Sequence, residues 1–224
     1  MKCICSKFVL SFTLLLGGAG VIVGGIVASN AQADAPAVST EVATAEIGKA
    51  APAFTLKDTD GKSHNLSDFK GKIVVLEWFC PTCPYSGGKG RSSVHDNGSV
   101  KELLKNLKEV DPDVVYLLVD SSTAKMRVSA EQLSERDAKA KKALGITSPI
   151  LIDGDTSVAK AYGAKSTPHM FVIDGEGVLR YHGAFSDRKD NKQNYVLDAV
   201  KSIKAGSAVE PTYVKQWGCG VRYQ

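Results

Sequence analysis

Apolar residues in this chain fall into short runs separated by charged and turn-forming stretches. Val74-Val75-Leu76 is β-branched and apolar, the composition of a strand covered on both faces. Residues 114–119 form a second such run, and residues 149–152 a short third one. Residues 170–173 and 178–181 flank Asp174-Gly175-Glu176-Gly177, which reads as strand, turn, strand: an antiparallel hairpin. Phe54-Thr55-Leu56 alternates and is followed by Asp58, Asp60-Gly61 and Leu66, an earlier hairpin with Asp60-Gly61 as its turn.

Helical periodicity fills the gaps. Ser99-x-x-Glu102 reads as a capping box opening a helix with Val100, Leu103, Leu104 and Leu107 on one face. Ser129-x-x-Gln132 caps a second helix, which Gly145 closes. Asp155 caps a short helix running to Tyr162-Gly163, and residues 195–204 form an amphipathic one with Val196, Leu197, Val200 and Ile203 inward. Residues 121–127 and the tail from Ser207 show no period and read as loop. Gly87, Gly88 and Gly90 each cost about 1 kcal/mol in a helix, so residues 84–97 are expected to be irregular. The order of elements predicts an α/β fold: a mixed central sheet, helices on both faces, and an N-terminal β-hairpin extension.

The first residues belong to targeting, not to the fold. Lys2 and Lys7 precede an apolar run over residues 8–28, and Ala31-Gln32-Ala33 fits a signal-peptidase site, so residues 1–33 read as a signal peptide. The run is long for a signal peptide and nearly spans a bilayer, so the alternative is an uncleaved membrane anchor, which would tether the protein. Either way the rest of the chain is exported, to a periplasmic or other extracytoplasmic space. Residues 34–46 are Ala/Thr/Val/Pro-rich and read as a flexible tether, residues 47–205 as the domain, and residues 206–224 as a C-terminal tail carrying Cys219. Without Lys2 and Lys7, 26 basic residues face 24 acidic ones, a balance that points to no nucleic-acid partner. Cys80, Cys83 and Cys219 then remain: too few for a disulfide scaffold, and an odd number, which implies a reactive or intermolecular thiol.

Cys80 and Cys83 stand where the strand from Val74 runs into a turn. A Cys-x-x-Cys beside a βαβ pattern is a redox motif. One thiolate attacks a disulfide and a second thiol releases the mixed disulfide. Glu77 lies in the same strand. Buried there, its pKa should rise, and it could take or return a thiol proton. The other reading is a carboxylate at a strand edge with its head in water.

The stretch Tyr162-Gly-Ala-Lys-Ser-Thr167-Pro168-His-Met-Phe-Val-Ile-Asp174, taken with the cysteine loop, resembles the thioredoxin-fold redoxins over residues 47–205. That group includes exported thiol–disulfide oxidoreductases and the alkyl hydroperoxide reductase/thiol-specific antioxidant branch. The resemblance implies a cis Pro168 facing the redox cysteine, and a Thr167 that offers its backbone to a bound peptide. It places Glu77 at the family's buried acid, six residues before the attacking cysteine. The register departs from the family at one point: the second family cysteine falls on Ser86, while the extra cysteine here, Cys80, lies three residues before Cys83.

The resulting expectation is Cys83 as nucleophile and Cys80 as resolving thiol, with Lys89 and Arg91 as cations able to favour the thiolate. Gly218-Cys219-Gly220-Val221-Arg222-Tyr223 resembles the tail of some redoxin-like sequences. Cys219 either closes on Cys83 or Cys80, or is a static or free thiol. The expected partners are a thiol- or disulfide-containing protein substrate and a redox partner, with no cofactor and no metal. A thiol peroxidase is the competing enzyme. Its Pro-x-x-x-Thr/Ser-x-x-Cys pattern is absent: Leu76 and Cys80 stand at those positions before Cys83, and Ile73 and Glu77 before Cys80. A zinc module built from Cys80, Cys83, Cys219 and His95 or His169 has only one close ligand pair. A non-catalytic partner protein would hold Cys80–Cys83 as a permanent disulfide. His64 and His182, in hairpin contexts, read as surface residues.

Overall fold

The computed structural model describes residues 44–188 and 193–224. The expected signal peptide or anchor, residues 1–33, and most of the tether lie outside the described residues. Among the described residues, no helix is long and apolar enough to cross a membrane.

In chain order the sheet elements begin with the hairpin β1 (Thr55–Asp58) and β2 (Ser63–Asn65), followed by β3 (Val74–Trp78). Helix α1 (Ser99–Val110), strand β4 (Val115–Asp120), the short α2 (Thr123–Met126) and α3 (Ala130–Leu144) come next. After them run β5 (Ile150–Ile152), α4 (Ser157–Tyr162), β6 (Ser166–Thr167), β7 (Met170–Ile173) and β8 (Leu179–Gly183). Helix α5 (Tyr195–Lys204) and the short strands β9 (Tyr213–Val214) and β10 (Cys219–Gly220) complete the set.

β3 lies inside the sheet because all five of its residues are buried and both of its edges are paired. It runs parallel to β4 and antiparallel to β7. The main sheet has the order β2-β1-β5-β4-β3-β7-β8-β9. This is the mixed thioredoxin-like sheet expected, with the N-terminal hairpin added antiparallel to β5.

Side chains alternate across a strand, so β3 feeds two cores. Val75 and Phe79 pack with Leu103 and Leu107 of α1 and with Val196 and Val200 of α5. Val74, Leu76 and Trp78 face the other way, onto Val158, Ala159 and Tyr162 of α4. The helices therefore cover both faces.

Several local expectations are corrected. Ser99 is not a cap: Gly98, in the left-handed region at φ 86°, is the N-cap of α1, and the Ser99 N–H donates to Asn97 Oδ1 at 2.9 Å. The chain turns sharply into the helix there, one residue ahead of the expected box. Asp155 lies one position before the N-cap of α4, Thr156, and accepts the Ser157 N–H at 2.9 Å. Residues 121–127 contain a turn of helix, α2, too short to show a period. The Ser129–Gln132 box and the Gly145 cap form as expected, and residues 84–97 are a series of turns. His64 is buried, not at the surface, with Nε2 2.7 Å from Asp58 Oδ2 across the first hairpin. His182 is half-buried, stacked on Phe171 and in tilted contact with Tyr213.

The tail needs the largest correction. β9 extends the main sheet in parallel beside β8, and β10 pairs antiparallel with β6. Two-residue strands carry no periodicity, and their partners are remote in sequence, so nothing local signalled them.

Candidate active site

β3 ends at Trp78, and backbone turns take over. The Cys83 N–H donates to the Cys80 carbonyl at 3.1 Å, closing the Cys80-Pro-Thr-Cys83 turn. The Ser86 and Gly88 N–H groups then both donate to the Cys83 carbonyl, at 3.0 and 2.7 Å. Gly87 and Gly88 are required by close approach. A Cβ on Gly87 would lie 2.6 Å from the Phe79 ring, and one on Gly88 2.7 Å from the Cys83 carbonyl. The glycines that argued against a helix thus let this loop fold back on its own cysteine.

Register brings the distant half of the site to this loop. β7 pairs with β3 so that Met170 faces Glu77, and the Trp78 N–H donates to the His169 carbonyl at 2.9 Å. That places Thr167 and Pro168 against the cysteine turn. The Thr167–Pro168 bond is cis, and the Cys83 sulfur donates to the Thr167 carbonyl at 3.1 Å. Across β6 from Thr167 lies Cys219. Cys80 and Cys83 are both buried, Cys219 is half-buried, and all three are free thiols.

The three sulfurs hold their protons differently. Burial pushes the Cys83 thiol up, but its interactions with the Cys219 thiol, with Thr167 and with the backbone at Tyr85 outweigh it, leaving its pKa below the ordinary value. Burial and the charge of Asp120 raise Cys80, against hydrogen bonds from Thr82 and Ser122. Cys219 is pushed up to about 11 by burial, by its hydrogen bond to Cys83 and by the neighbouring Cys83 charge. Cys83 is therefore the first of the three to become a thiolate, the form that attacks disulfides. Lys89 and Arg91, expected as the cations that favour it, are exposed on the loop. Hydrogen bonds to the sulfur take over that part.

Glu77 is fully buried, not at a solvated edge. His95 Nε2 lies 3.0 and 3.1 Å from its two oxygens, and the Tyr116 hydroxyl donates to Oε2 at 2.6 Å. Ser86 Oγ donates to Oε1 at 3.4 Å and accepts the Cys80 N–H at 3.4 Å. The carboxylate is thus tied to the cysteine turn through one hydroxyl. A buried carboxyl group needs such partners. The sequence reading missed Tyr116, whose signal was a lone hydroxyl in an otherwise apolar strand run.

A second buried acidic group was also missed. Asp120, at the end of β4, and Asp137, on α3, are both fully buried. Asp120 accepts the Ser122 N–H at 2.7 Å. Burial raises Asp120 to about 6, against hydrogen bonds from Ser122. Burial together with the Asp120 charge raises Asp137 to about 9. The two carboxyls sit on the Cys80 side of the site, where the Asp120 charge acts on both Asp137 and Cys80. The sequence signal was an acid directly after five apolar strand residues.

The zinc candidates do not converge. His95 is engaged with Glu77, while His169 Nδ1 accepts the Lys165 N–H at 3.2 Å. Among the described residues, no three His, Cys, Asp or Glu side chains form a metal-ligand cluster.

The sequence profile of the Redoxin family matches residues 46–198. The chain belongs to the Redoxin family. This redoxin is 29% identical over 163 residues to the thiol-disulfide oxidoreductase ResA of Geobacillus thermodenitrificans (strain NG80-2), covering 72% of this chain and 82% of that one. It is also 29% identical over 156 residues to the chloroplastic peroxiredoxin Q of Suaeda salsa, covering 66% of this chain and 65% of that one. Among solved structures, a hypothetical protein from Sinorhizobium meliloti 1021 superposes with a TM-score of 0.66 at 26% identity, over 81% of this chain and 96% of the other. The redoxin is thus a thioredoxin-fold oxidoreductase with distant relatives on both the disulfide-exchange and the peroxidase side.

Proposed function

We propose that this redoxin is an exported thiol–disulfide oxidoreductase with Cys83 as its attacking thiol. The observation that carries the reading is the Cys83 sulfur, 3.1 Å from the Thr167 carbonyl beside the cis Pro168, with Cys219 across the strand. The Cys83 thiolate attacks a substrate disulfide and expels one half as a thiolate. A resolving thiol then displaces the other half and leaves a disulfide on the enzyme. Cys219, hydrogen-bonded to Cys83, is the better placed resolver; Cys80 is the alternative within the same turn. Glu77 positions the turn through Ser86 and supplies a buried acid–base group for the thiol proton. Thr167 and Pro168 form the surface against which the disulfide attacked by Cys83 lies, the place Cys219 takes when the C-terminal strand is paired with β6.

The likeness to ResA supports disulfide exchange with a protein thiol or disulfide and a redox partner. The leader expected at residues 1–33 supports export. The test is Cys83→Ser, which abolishes exchange, together with Cys80→Ser and Cys219→Ser. Whichever of the latter accumulates a mixed disulfide has lost the resolving thiol. Full turnover in Cys83→Ser refutes the reading.

The likeness to a peroxiredoxin favours a second reading. There the Cys83 thiolate takes an oxygen from a peroxide to become a sulfenic acid, which condenses with a neighbouring thiol to a disulfide and releases water. A peroxide-consumption assay separates the two.

A further inference from the structure

The C-terminal strand occupies the sheet edge beside Cys83 as a bound peptide would. Cys219 stands opposite Thr167 and Gly220 opposite Ser166, antiparallel, and the Val221 N–H continues the ladder to the Lys165 carbonyl at 3.1 Å. Extended peptides bind exposed sheet edges in this way, with main-chain hydrogen bonds giving affinity and side chains giving specificity. Here the strand belongs to the chain itself, and the side chain it delivers to the Cys83 sulfur is a cysteine.

Both ends of the strand are fastened. Upstream, the Trp217 ring meets Tyr85 of the cysteine loop edge-on at 6.2 Å, and its Nε1 donates to the Ser186 carbonyl at 3.0 Å. Downstream, the Tyr223 hydroxyl donates to the Ala164 carbonyl at 2.6 Å, and the Gln224 amide donates to Thr123 Oγ1 at 3.0 Å. Gly218 sits so close to β6 that a Cβ there would be 2.2 Å from the Thr167 carbonyl. No second strand can pair with β6 while this one is in place. Beneath it Cys83 is only 2% exposed, whereas Cys219 is half-buried.

We propose that the C-terminal strand is a built-in substrate. It keeps extended polypeptides off Cys83 and makes Cys219 the sulfur at which a macromolecular partner exchanges disulfides. The proposal rests on Cys83 as the attacking thiol. Once Cys83 and Cys219 are joined, a thiolate of a dithiol protein partner attacks Cys219 Sγ. The S–S bond breaks and Cys83 departs as the thiolate. The partner's second thiol, as thiolate, then attacks the partner's own sulfur in the mixed disulfide and releases Cys219. Two electrons and two protons pass from the partner to Cys83 and Cys219, and the partner leaves as a disulfide. Attack at Cys219 is favoured twice: its sulfur is the reachable one, and Cys83, which gives up its proton most readily, is the better leaving group. Small disulfides need no sheet edge and escape the exclusion.

The test uses the full chain and two variants that keep all three cysteines. Gly218→Val drives a side chain into the Thr167 carbonyl and lifts the strand; Trp217→Ala removes its clasp on Tyr85 without a clash. Exchange is measured with insulin as the protein disulfide and hydroxyethyl disulfide as the small one, with folding checked by circular dichroism. In the variants the insulin-to-small-disulfide rate ratio rises about tenfold or more, the factor expected if the strand is closed at least about nine-tenths of the time. Acid-quenched mixed disulfides with a dithiol protein map to Cys219 in the parent chain and to Cys83 in the variants. An unchanged ratio in both folded variants, or a parent mixed disulfide at Cys83, overturns the proposal. If Cys83→Ser leaves exchange of hydroxyethyl disulfide running, the Cys83 assignment itself is lost, and this proposal with it.

Discussion

The Cys83 sulfur and the Thr167 carbonyl meet at 3.1 Å although 84 positions separate them in the chain. What joins them is the antiparallel register of β3 and β7, continued past the end of β3 by the hydrogen bond from the Trp78 N–H to the His169 carbonyl. The redox loop extends one central strand, and the proline loop leads into its neighbour. A one-residue slip in that register would turn every side chain of one strand to the wrong face, so the hydrophobic core also fixes the site.

The three thiols should separate by pH. Alkylation of Cys83 has its midpoint below that of an ordinary thiol. Cys219 responds only as the pH nears about 11, and Cys80 above its ordinary range. Mass-spectrometric mapping of iodoacetamide labelling between pH 5 and 11, on the reduced protein, checks the order. Cys83 labelling last would contradict it.

Removing the Glu77 carboxylate leaves His95, the Tyr116 hydroxyl and Ser86 without their shared acceptor. Each buried donor left without its acceptor costs about 1–3 kcal/mol. Glu77→Ala should lose stability on that scale in urea unfolding. Glu77→Gln, which keeps the shape and one acceptor oxygen, loses less.

The Asp120–Asp137 pair makes stability fall as pH rises. Both carboxyls hold protons in the folded state that the unfolded chain releases, so their contribution is fully present below the ordinary carboxyl value of 3.8 and is lost as pH climbs through about 6 and then about 9. One such retained proton gives a slope of at most about 1.4 kcal/mol per pH unit. Asp137→Asn should flatten the decline between pH 6 and 9, read from denaturant midpoints across that range. A slope equal to the parent's would show that Asp137 holds no extra proton in the folded state.

At Gly87, a methyl group would meet the Phe79 ring at 2.6 Å and the Pro81 backbone at 2.8 Å, and the ring is fully buried with no room to yield. Overpacking of this kind costs about 1–3 kcal/mol. Gly87→Ala should lower the thermal midpoint and slow exchange at Cys83 together. Gly90→Ala, with nothing within 4 Å of its Cβ position, strains only its own backbone at φ 127°.

The order of the longer strands and helices, and the cysteine turn at the end of β3, follow from the sequence alone. Val74-Val75-Leu76 and residues 170–173 are apolar enough to be central strands, and the Ser129–Gln132 box and Gly145 mark their helix through local hydrogen bonding and backbone conformation. These are signals carried within a few residues. Whether Glu77 met water or protein was open until His95, Tyr116 and Ser86 were found around it, each from a different segment. The same holds for Asp120 against Asp137, and for His64 against Asp58. The tail is the sharpest case: Cys219-Gly220 has no periodicity of its own and becomes a strand only because Ser166-Thr167 presents an edge to it. Side-chain pattern reports which face a residue prefers, whereas partnership between remote groups depends on how the chain closes in three dimensions. That is why the tertiary structure alone decided which sulfur faces Cys83.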